Sequence, residues 1–238
     1  MNQDPYEQIA TFYEQIMGER EDIPFLLKLL KKEHPKAKNL LELACGSGTV
    51  LGPLSAKYDV TGVDVSKPML ERARSSILHA ELHLADIRSL RLKKKYDLVI
   101  CVFDSINHIH KFSDWQRVFK VASKHLKEDG LFIFDMNTKE KFKNYIEESP
   151  LVADEDGDTV IFEVTKEQGD KYDLNIRYFA KQSKNDFKLH TTKITERTYP
   201  VTKVKASLKA LFKKVKTIDE TGKKPNKSSE TIYWICRK

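Results

Sequence analysis

The sequence predicts an α/β fold: a doubly wound, mostly parallel seven-stranded sheet with a small antiparallel β insertion. Three observations carry that expectation. From residue 39 to 137, short apolar runs alternate with amphipathic helical stretches, as in a parallel sheet covered on both faces. Long segments of alternating polarity then follow with only turns between them, the mark of antiparallel hairpins. Finally, 238 residues at 40 % hydrophobic content suffice for one sizeable core and no second full domain.

Taken in order, YEQIATFYEQIM has helical periodicity, and IPFLLKLLKK forms a second helix whose Pro24 suits a first turn. NLLELA, DVTGVDV, AELHLAD, YDLVICVF and GLFIFDMN are expected as buried strands. The helices between them are TVLGPLSAKY, KPMLERARSSI and DWQRVFKVASKHL, the last closed by Gly130 as a stop. Beyond Asn137, the strands TVIFEVTKE, YDLNIRYFAK and FKLHTTKITERTY are separated by QGD and KND, with no helix expected between them. Helical spacing returns in VTKVKASLKALF, followed by strands near KKVKTID and ETIYWICRK. The chain thus divides into a core at 1–140, an insertion at 141–199, and a stretch at 200–238 that completes the core sheet.

Composition excludes several function classes. No run approaches the roughly 18 apolar residues of a membrane span, and MNQDPYEQ lacks the basic-then-apolar pattern of a signal peptide. The expectation is a cytoplasmic protein with no membrane partner. Cys45, Cys101 and Cys236 stand far apart without CxxC spacing, so they are expected as buried core residues, with no disulfide framework and no metal. The net charge of +7 is uneven, because residues 200–238 carry 11 Lys+Arg against 3 Asp+Glu.

The run LLELACGSGTV ends the first strand in a small-residue turn. In an open parallel sheet, ligands gather beyond the carboxyl ends of the strands, where strand order reverses. Gly46 and Gly48 remove side chains where a ligand approaches the backbone, and a helix starting near Thr49 offers free N–H groups. A dinucleotide site wants GxGxxG or GxGxxA, but Leu51 stands at the last position; a P-loop wants a Lys that is missing. Glu42 before the turn would repel a pyrophosphate yet can accept hydrogen bonds from an amino acid's ammonium group. Asp64 at the end of the second strand suits two ribose hydroxyls, and Asp86 after the third suits adenine's exocyclic amine. Ribose, adenine and an amino-acid moiety describe S-adenosylmethionine (SAM).

With these motifs in this order the chain resembles the class I SAM-dependent methyltransferases along nearly its whole length. LLELACGSGT resembles the first motif, with Ala44 at its usual first glycine. GVDVSKPML, LADIRSL, YDLVICVFDSINHI and LKEDGLFIFDMN resemble the later ones. The resemblance implies a Rossmann-like methyltransferase fold, with Glu42, Ala44, Gly46 and Gly48 framing the methionine part of SAM. Asp64 would bind ribose, Val65 and Met69 would pack on adenine, Asp86 and Ile87 would read its edge, and Phe103 would complete the donor pocket.

The segment FDSINHIH lies beside the expected donor methyl and carries Asp104, Ser105, Asn107, His108 and His110. Some sugar N-methyltransferases of this family have a similar segment whose His is proposed to act on the amine, and the matching residue is His108, the candidate base. FIFDMNTKEKF and ERTYP resemble a subset of small bacterial and archaeal methyltransferases whose antiparallel insertion covers the active site. That likeness implies that Asn137, Arg197 and Tyr199 face the acceptor. Tyr6 and Tyr13, seven residues apart on one face of the opening helix, are lid candidates. Asp104 and Asn107 complete the acceptor set.

The signatures of nucleobase methylation are absent, since FDSI stands where (N/D)PP(Y/F) would be and Cys101 lacks a preceding proline. The function expected is methyl transfer to N or O of a small molecule, with nucleic acid disfavoured. Lys223, Lys224 and Lys227, on the final hairpin turn at the rim of the site, suggest an anionic acceptor, phosphorylated or nucleotide-linked. RNA methylation and a non-catalytic SAM-binding sensor or partner protein are the alternatives.

Overall fold

The computed structural model describes residues 4–7, 9–17 and 22–238; Gln8 of the opening segment and the first three residues of MNQDPYEQ lie outside the described residues. The strands are β1 (Asn39–Leu43), β2 (Asp59–Asp64), β3 (Glu81–Leu84), β4 (Tyr96–Cys101), β5 (Leu126–Asn137), β6 (Leu151–Glu155), β7 (Asp158–Lys166), β8 (Lys171–Ser183), β9 (Asp186–Arg197), β10 (Lys214–Asp219) and β11 (Thr231–Arg237). Seven of them form one sheet in the order β10-β11-β5-β4-β1-β2-β3. β1 to β5 run parallel, while β11 returns antiparallel to β5 and pairs with β10. Strand order reverses between β1 and β4, so the crevice beyond their carboxyl ends is where a ligand is expected.

Alternation along the strands supplies both faces of this sheet with apolar side chains. On one face Phe132, Phe134 and Trp234 pack with Trp115, Phe119 and Val118 of α5 (Phe112–His125). The Phe134 and Trp234 rings lie opposite one another across the β5–β11 ladder and stack at 5.8 Å. On the other face Ile133, Ile235, Leu98 and Ile100 pack with Leu26 and Leu30 of α2 (Asp22–Glu33) and Leu70 of α4 (Lys67–Ser76). Cys45, Cys101 and Cys236 are all buried thiols in this core. No helix among the described residues is long and apolar enough to cross a membrane.

Several expected boundaries move. The opening helix is shorter: Tyr6 sits in a turn, residues Ala10–Phe12 form a 3₁₀ turn, and only Tyr13–Met17 (α1) is α-helical. The helix placed near Thr49 is the five-residue α3 (Leu51–Ser55), whose cap Val50 makes no side-chain bond. Gly130 does not end α5, which stops at His125; it lies within β5, where a Cβ would meet Asp97 O at 3.1 Å. The register of β4 against β5 shifts just there, so the glycine marks an irregularity in the ladder.

The stretch after Asn137 holds the largest departure, a helix α6 (Lys139–Glu148) where none is expected. Thr138 caps it, its Oγ1 accepting from the backbone N of Glu140 at 3.2 Å and Lys141 at 3.4 Å. Its apolar residues Phe142, Tyr145 and Ile146 follow helical spacing. Phe142 is wholly buried and stacks on Tyr172 at 4.0 Å, fixing α6 to the antiparallel sheet β6-β7-β8-β9. That sheet presents Leu174, Ile176 and Ile194 on its inner face, where Tyr6 and Ile16 of the opening segment also pack. The last helix, α7 (Val201–Lys209), leads back to β10.

Candidate active site

The donor side of the crevice is built from the turns after β1 and β2. Ala44, Gly46 and Gly48 all adopt left-handed backbone, with φ of 61°, 54° and 86°. For alanine this conformation costs roughly 1 to 2 kcal/mol, which explains why a glycine is the usual occupant of that position. Asp64 ties the two turns together: Oδ2 accepts from Gly46 N and Oδ1 from Ser66 N, each at 2.8 Å. Burial raises the pKa of its carboxyl, and the N–H groups of Ser66, Gly46 and Val65 oppose that rise.

Glu42, Ala44, Gly46, Asp64, Val65 and Met69 line one end of a cavity of about 990 Å³, at the upper limit for a small-molecule site. Its chemistry fits SAM. Glu42 is 2 % exposed and its Oε2 has no hydrogen-bond partner among the described residues, so an ammonium group entering here would meet a waiting acceptor. Burial, then the charge of Asp64, pushes the Glu42 carboxyl up. Val65, 74 % exposed despite being apolar, offers a surface for a base. A Cβ on Gly46 would approach Met69 Cε at 3.3 Å, narrowing the same space.

Gly48 has a different role from the expected one. It does not line the cavity; a Cβ there would strike Ile77 Cδ1 at 2.6 Å and crowd Ala73. It serves the packing of the turn on α4 rather than ligand approach. Asp86 and Ile87 line the cavity as expected. The Asp86 carboxylate, however, already accepts from Arg88 Nε at 2.9 Å and from Arg88 N at 2.8 Å. The Arg88 guanidinium holds it below the usual carboxylate range. An adenine amine can reach only its remaining lone pairs.

The acceptor side is organised by a left-handed turn beyond β4. Phe103 and Asp104 have φ of 56° and 50° in succession, a pair that needs outside support. Asp135 on β5 supplies it, its Oδ2 accepting from Asp104 N at 2.9 Å with Phe103 N a second donor. Asp135 is 3 % exposed and its Oδ1 has no hydrogen-bond partner among the described residues. Burial, then the charge of Asp104, pushes its pKa from 3.8 to about 7.

A carboxyl whose pKa is higher in the folded chain stabilises the fold fully only below its unfolded value, and that contribution fades as pH rises through the folded value. For Asp135 the window is about pH 4 to 7, and the effect is at most about 4 kcal/mol. Asp135→Asn keeps an acceptor for Asp104 N but has no charge to bury. Its Tm is expected to exceed that of the parent at pH 8 and to lose the advantage at pH 5, as thermal scans at the two pH values will measure.

Asp104 meets two further polar groups in the cavity. Asn137 Nδ2 bridges Asp104 Oδ2 at 2.9 Å and Glu196 Oε2 at 3.3 Å. His108 Nε2 lies 3.9 Å from Asp104 Oδ1 and 3.2 Å from the Tyr6 hydroxyl. Asp104, His108 and Glu196 thus place one ligand atom each within 4.8 Å of one another, a spacing that suits a cationic group. Glu196 is 2 % exposed, and burial followed by the charge of Asp104 pushes its carboxyl well up. Burial lowers the pKa of His108, outweighing the opposite pull of Asp104. Its imidazole is therefore neutral at neutral pH and able to accept a proton.

The remaining assignments divide. Tyr6, Tyr13, Phe103, Asp104, His108 and Asn137 all line the cavity, and the Tyr6 and Tyr13 rings meet edge to face at 5.8 Å. Asn107, Arg197 and Tyr199 do not line it. Asn107 is fully buried and knits backbone: its Oδ1 accepts from Asn137 N at 3.0 Å, while Nδ2 donates to Arg197 O at 3.1 Å. Tyr199 packs on Trp115 and donates to His110 O at 2.6 Å, and Arg197 lies over the Tyr199 ring while donating to the same carbonyl at 3.0 Å. The pair sits on the α5 side because the strand register turns Glu196, between them and Ile194, inward.

Lys223, Lys224 and Lys227 do lie at the carboxyl end of β5, since Thr231 pairs with Asn137. They do not line the cavity. Sequence reading also missed Glu196, Asp135, Tyr145 and the apolar residues that β7, β8 and β9 add to its wall. Glu196 carried little local signal, since the residues that share its face of β9 include Lys188, His190 and Thr192, with Ile194 the one apolar side chain.

Residues 40–130 match the family described as a methyltransferase domain. Over 98 % of its length the chain is similar to a solved S-adenosylmethionine-dependent methyltransferase from Clostridium acetobutylicum ATCC 824, with 27 % identity, 99 % of that chain covered and a TM-score of 0.83. An amino pentose methyltransferase from Micromonospora echinaspora, solved with SAM bound, shares the fold at a TM-score of 0.77 and 18 % identity, with 100 % of each chain covered. The dTDP-3-amino-3,4,6-trideoxy-α-D-glucopyranose N,N-dimethyltransferase of Streptomyces venezuelae is 30 % identical over 108 residues, which is 45 % of this chain and 46 % of that protein.

Proposed function

Because the chain belongs to the class I SAM-dependent methyltransferases, we propose that it transfers the methyl group of SAM to the nitrogen of a small-molecule amine. The observation that carries the choice of nitrogen is the grouping of Asp104, His108 and Glu196 within 4.8 Å at the acceptor side of the cavity. Two carboxylates beside a neutral imidazole attract an ammonium group and give its proton somewhere to go. The relatives named above for amino sugars point the same way.

In this reading Glu42 holds the amino-acid end of SAM, Asp64 its ribose, and Val65 with Met69 its base. SAM supplies a methyl carbon made electrophilic by the attached sulfonium, which a nitrogen lone pair can take. The protein's part is alignment and proton handling. Asp104 and Glu196 hold the ammonium, and His108 Nε2 takes one of its protons, which frees the lone pair. Alignment of this kind can supply roughly 7 to 11 kcal/mol. The antiparallel insertion at 141–199 and the opening segment close the site against water.

A matched pair tests the choice of atom. With methyl-labelled SAM, benzylamine is expected to take the label and benzyl alcohol to take none. Label in the alcohol alone overturns the proposal. His108→Ala is expected to lower kcat about 100-fold or more while leaving the Kd for SAM unchanged. Since burial holds the His108 pKa below its ordinary 6.5, its titration should leave activity unchanged between pH 7 and 8 and lower it only at more acid pH. Stopped assays carried from pH 8 down into the acid range should find that fall in the parent and not in the alanine variant.

A further inference from the structure

The acceptor end of the cavity is polar at its inner corner and at Lys193 and Thr195 of β9, and is otherwise largely apolar. Beyond Asp104, His108 and Glu196 its walls include Tyr145 of α6, Phe162 of β7, Leu174 and Ile176 of β8, and Ile194 of β9. The register explains why these side chains converge: Phe162 pairs with Ile176 and Leu174 with Ile194, so all share the inner face. Tyr145 closes over Phe162, ring edge to face at 5.8 Å.

Cations are scarce where a phosphate would need them. Arg88, Lys111 and Lys193 are the only Lys and Arg lining the cavity among the described residues. Arg88 is committed to Asp86 and Asp114, and Lys193 to Asp173 at 2.9 Å. Lys111 caps the start of α5, its carbonyl accepting from Asp114 N at 2.9 Å, so its backbone belongs to the α5 side and not to the insertion. A diphosphate seated among the insertion's apolar residues, beside Asp104 and Glu196, would face two acidic groups with Lys141, already paired to Glu230 at 3.6 Å, as the nearby cation, which is unfavourable. An apolar group seated there gains by leaving water.

Building on the amine reading above, we propose that the acceptor amine is carried on an apolar, uncharged body, as in an arylalkylamine, and not on a phosphorylated or nucleotide-linked sugar. The body lies against Phe162, Ile176 and Ile194 while its ammonium group reaches Asp104 and Glu196. The basic turn at 223–227, outside the cavity, takes no part in holding it.

The test uses the whole chain with SAM, and compares three apolar amines (2-phenylethylamine, tryptamine and cyclohexylamine) with dTDP-3-amino-3,4,6-trideoxyglucose and with 2-phenylethanol. Methyl transfer is followed by mass. The best apolar amine is expected to exceed the nucleotide sugar at least about 10-fold in kcat/KM. Phe162→Ser is expected to raise its KM about 10-fold with the Kd for SAM unchanged. Faster transfer to the nucleotide sugar, or transfer to none of the three apolar amines, overturns this inference and leaves the amine reading standing wherever a nitrogen is methylated. Transfer to 2-phenylethanol with no amine methylated overturns both. An unchanged KM in Phe162→Ser contradicts the assigned wall even when apolar amines are preferred.

Discussion

Asp64→Ala is expected to weaken SAM binding by about 100-fold or more, the largest effect on the donor side. An ionised acceptor of hydroxyl hydrogen bonds contributes roughly 1.5 to 3 kcal/mol per bond, and 1.4 kcal/mol is a tenfold change. The same residue accepts from Gly46 N and Ser66 N, so its loss also loosens both turns that meet the ligand. Asp64→Asn separates the two contributions. The amide oxygen can still accept one backbone N–H, so the turns are better kept while the charge is gone, and a loss of about 10-fold is expected. Titration calorimetry reads both variants, and parental affinity in Asp64→Ala would remove Asp64 from the site.

On the acceptor side the largest effect belongs to Glu196. Glu196→Gln preserves the size of the side chain and an oxygen for Asn137 Nδ2, but it cannot carry the charge that holds an ammonium group. A fall in kcat/KM of about 100- to 1,000-fold is expected, combining the loss of a charged hydrogen bond with less effective proton transfer. SAM affinity should be unchanged, because Asp64 and Glu42 are untouched. Stability should move in the opposite direction. Burial pushes the Glu196 carboxyl well up, so ionising it costs the fold increasingly as pH rises, and the neutral amide escapes that cost. An inactive variant with a higher Tm at pH 8 is a combination that simple misfolding cannot produce.

The core sheet was legible because its strands are short, apolar and spaced by helices, so period and length agree. The positions of the candidate donor residues were legible for a related reason: Glu42, Asp64 and Asp86 stand at or just beyond strand ends, and strand ends in a parallel sheet share one rim. What escaped was set by tertiary contact. Helix α6 is held by Phe142 stacking on Tyr172, some thirty residues away in the chain, and the strands that follow it dominated the pattern. Arg197 and Tyr199 were correctly placed on one face, yet local alternation cannot say which face meets the cavity. The answer depends on Trp115 and the His110 carbonyl. Asp135 looks like any acid at the end of a strand; its importance comes from the left-handed turn at Phe103 and Asp104 that it supports.

The same dependence on tertiary contact governs the acceptor. The basic excess of residues 200–238 suggested an anionic partner, but a charge acts at full strength only where it is close and poorly screened. The lysines at 223, 224 and 227 are outside the cavity, while Asp104 and Glu196 are inside it. Proximity and burial therefore favour a positively charged group next to the donor.

A structure of the complex with S-adenosylhomocysteine and 2-phenylethylamine tests this most directly. The account predicts the amine nitrogen within hydrogen-bonding distance, about 3 Å, of carboxylate oxygens of both Asp104 and Glu196, with His108 Nε2 beside it. A divalent ion held by the three residues at about 2.0 to 2.4 Å, or an amine bound elsewhere in the cavity, would contradict it.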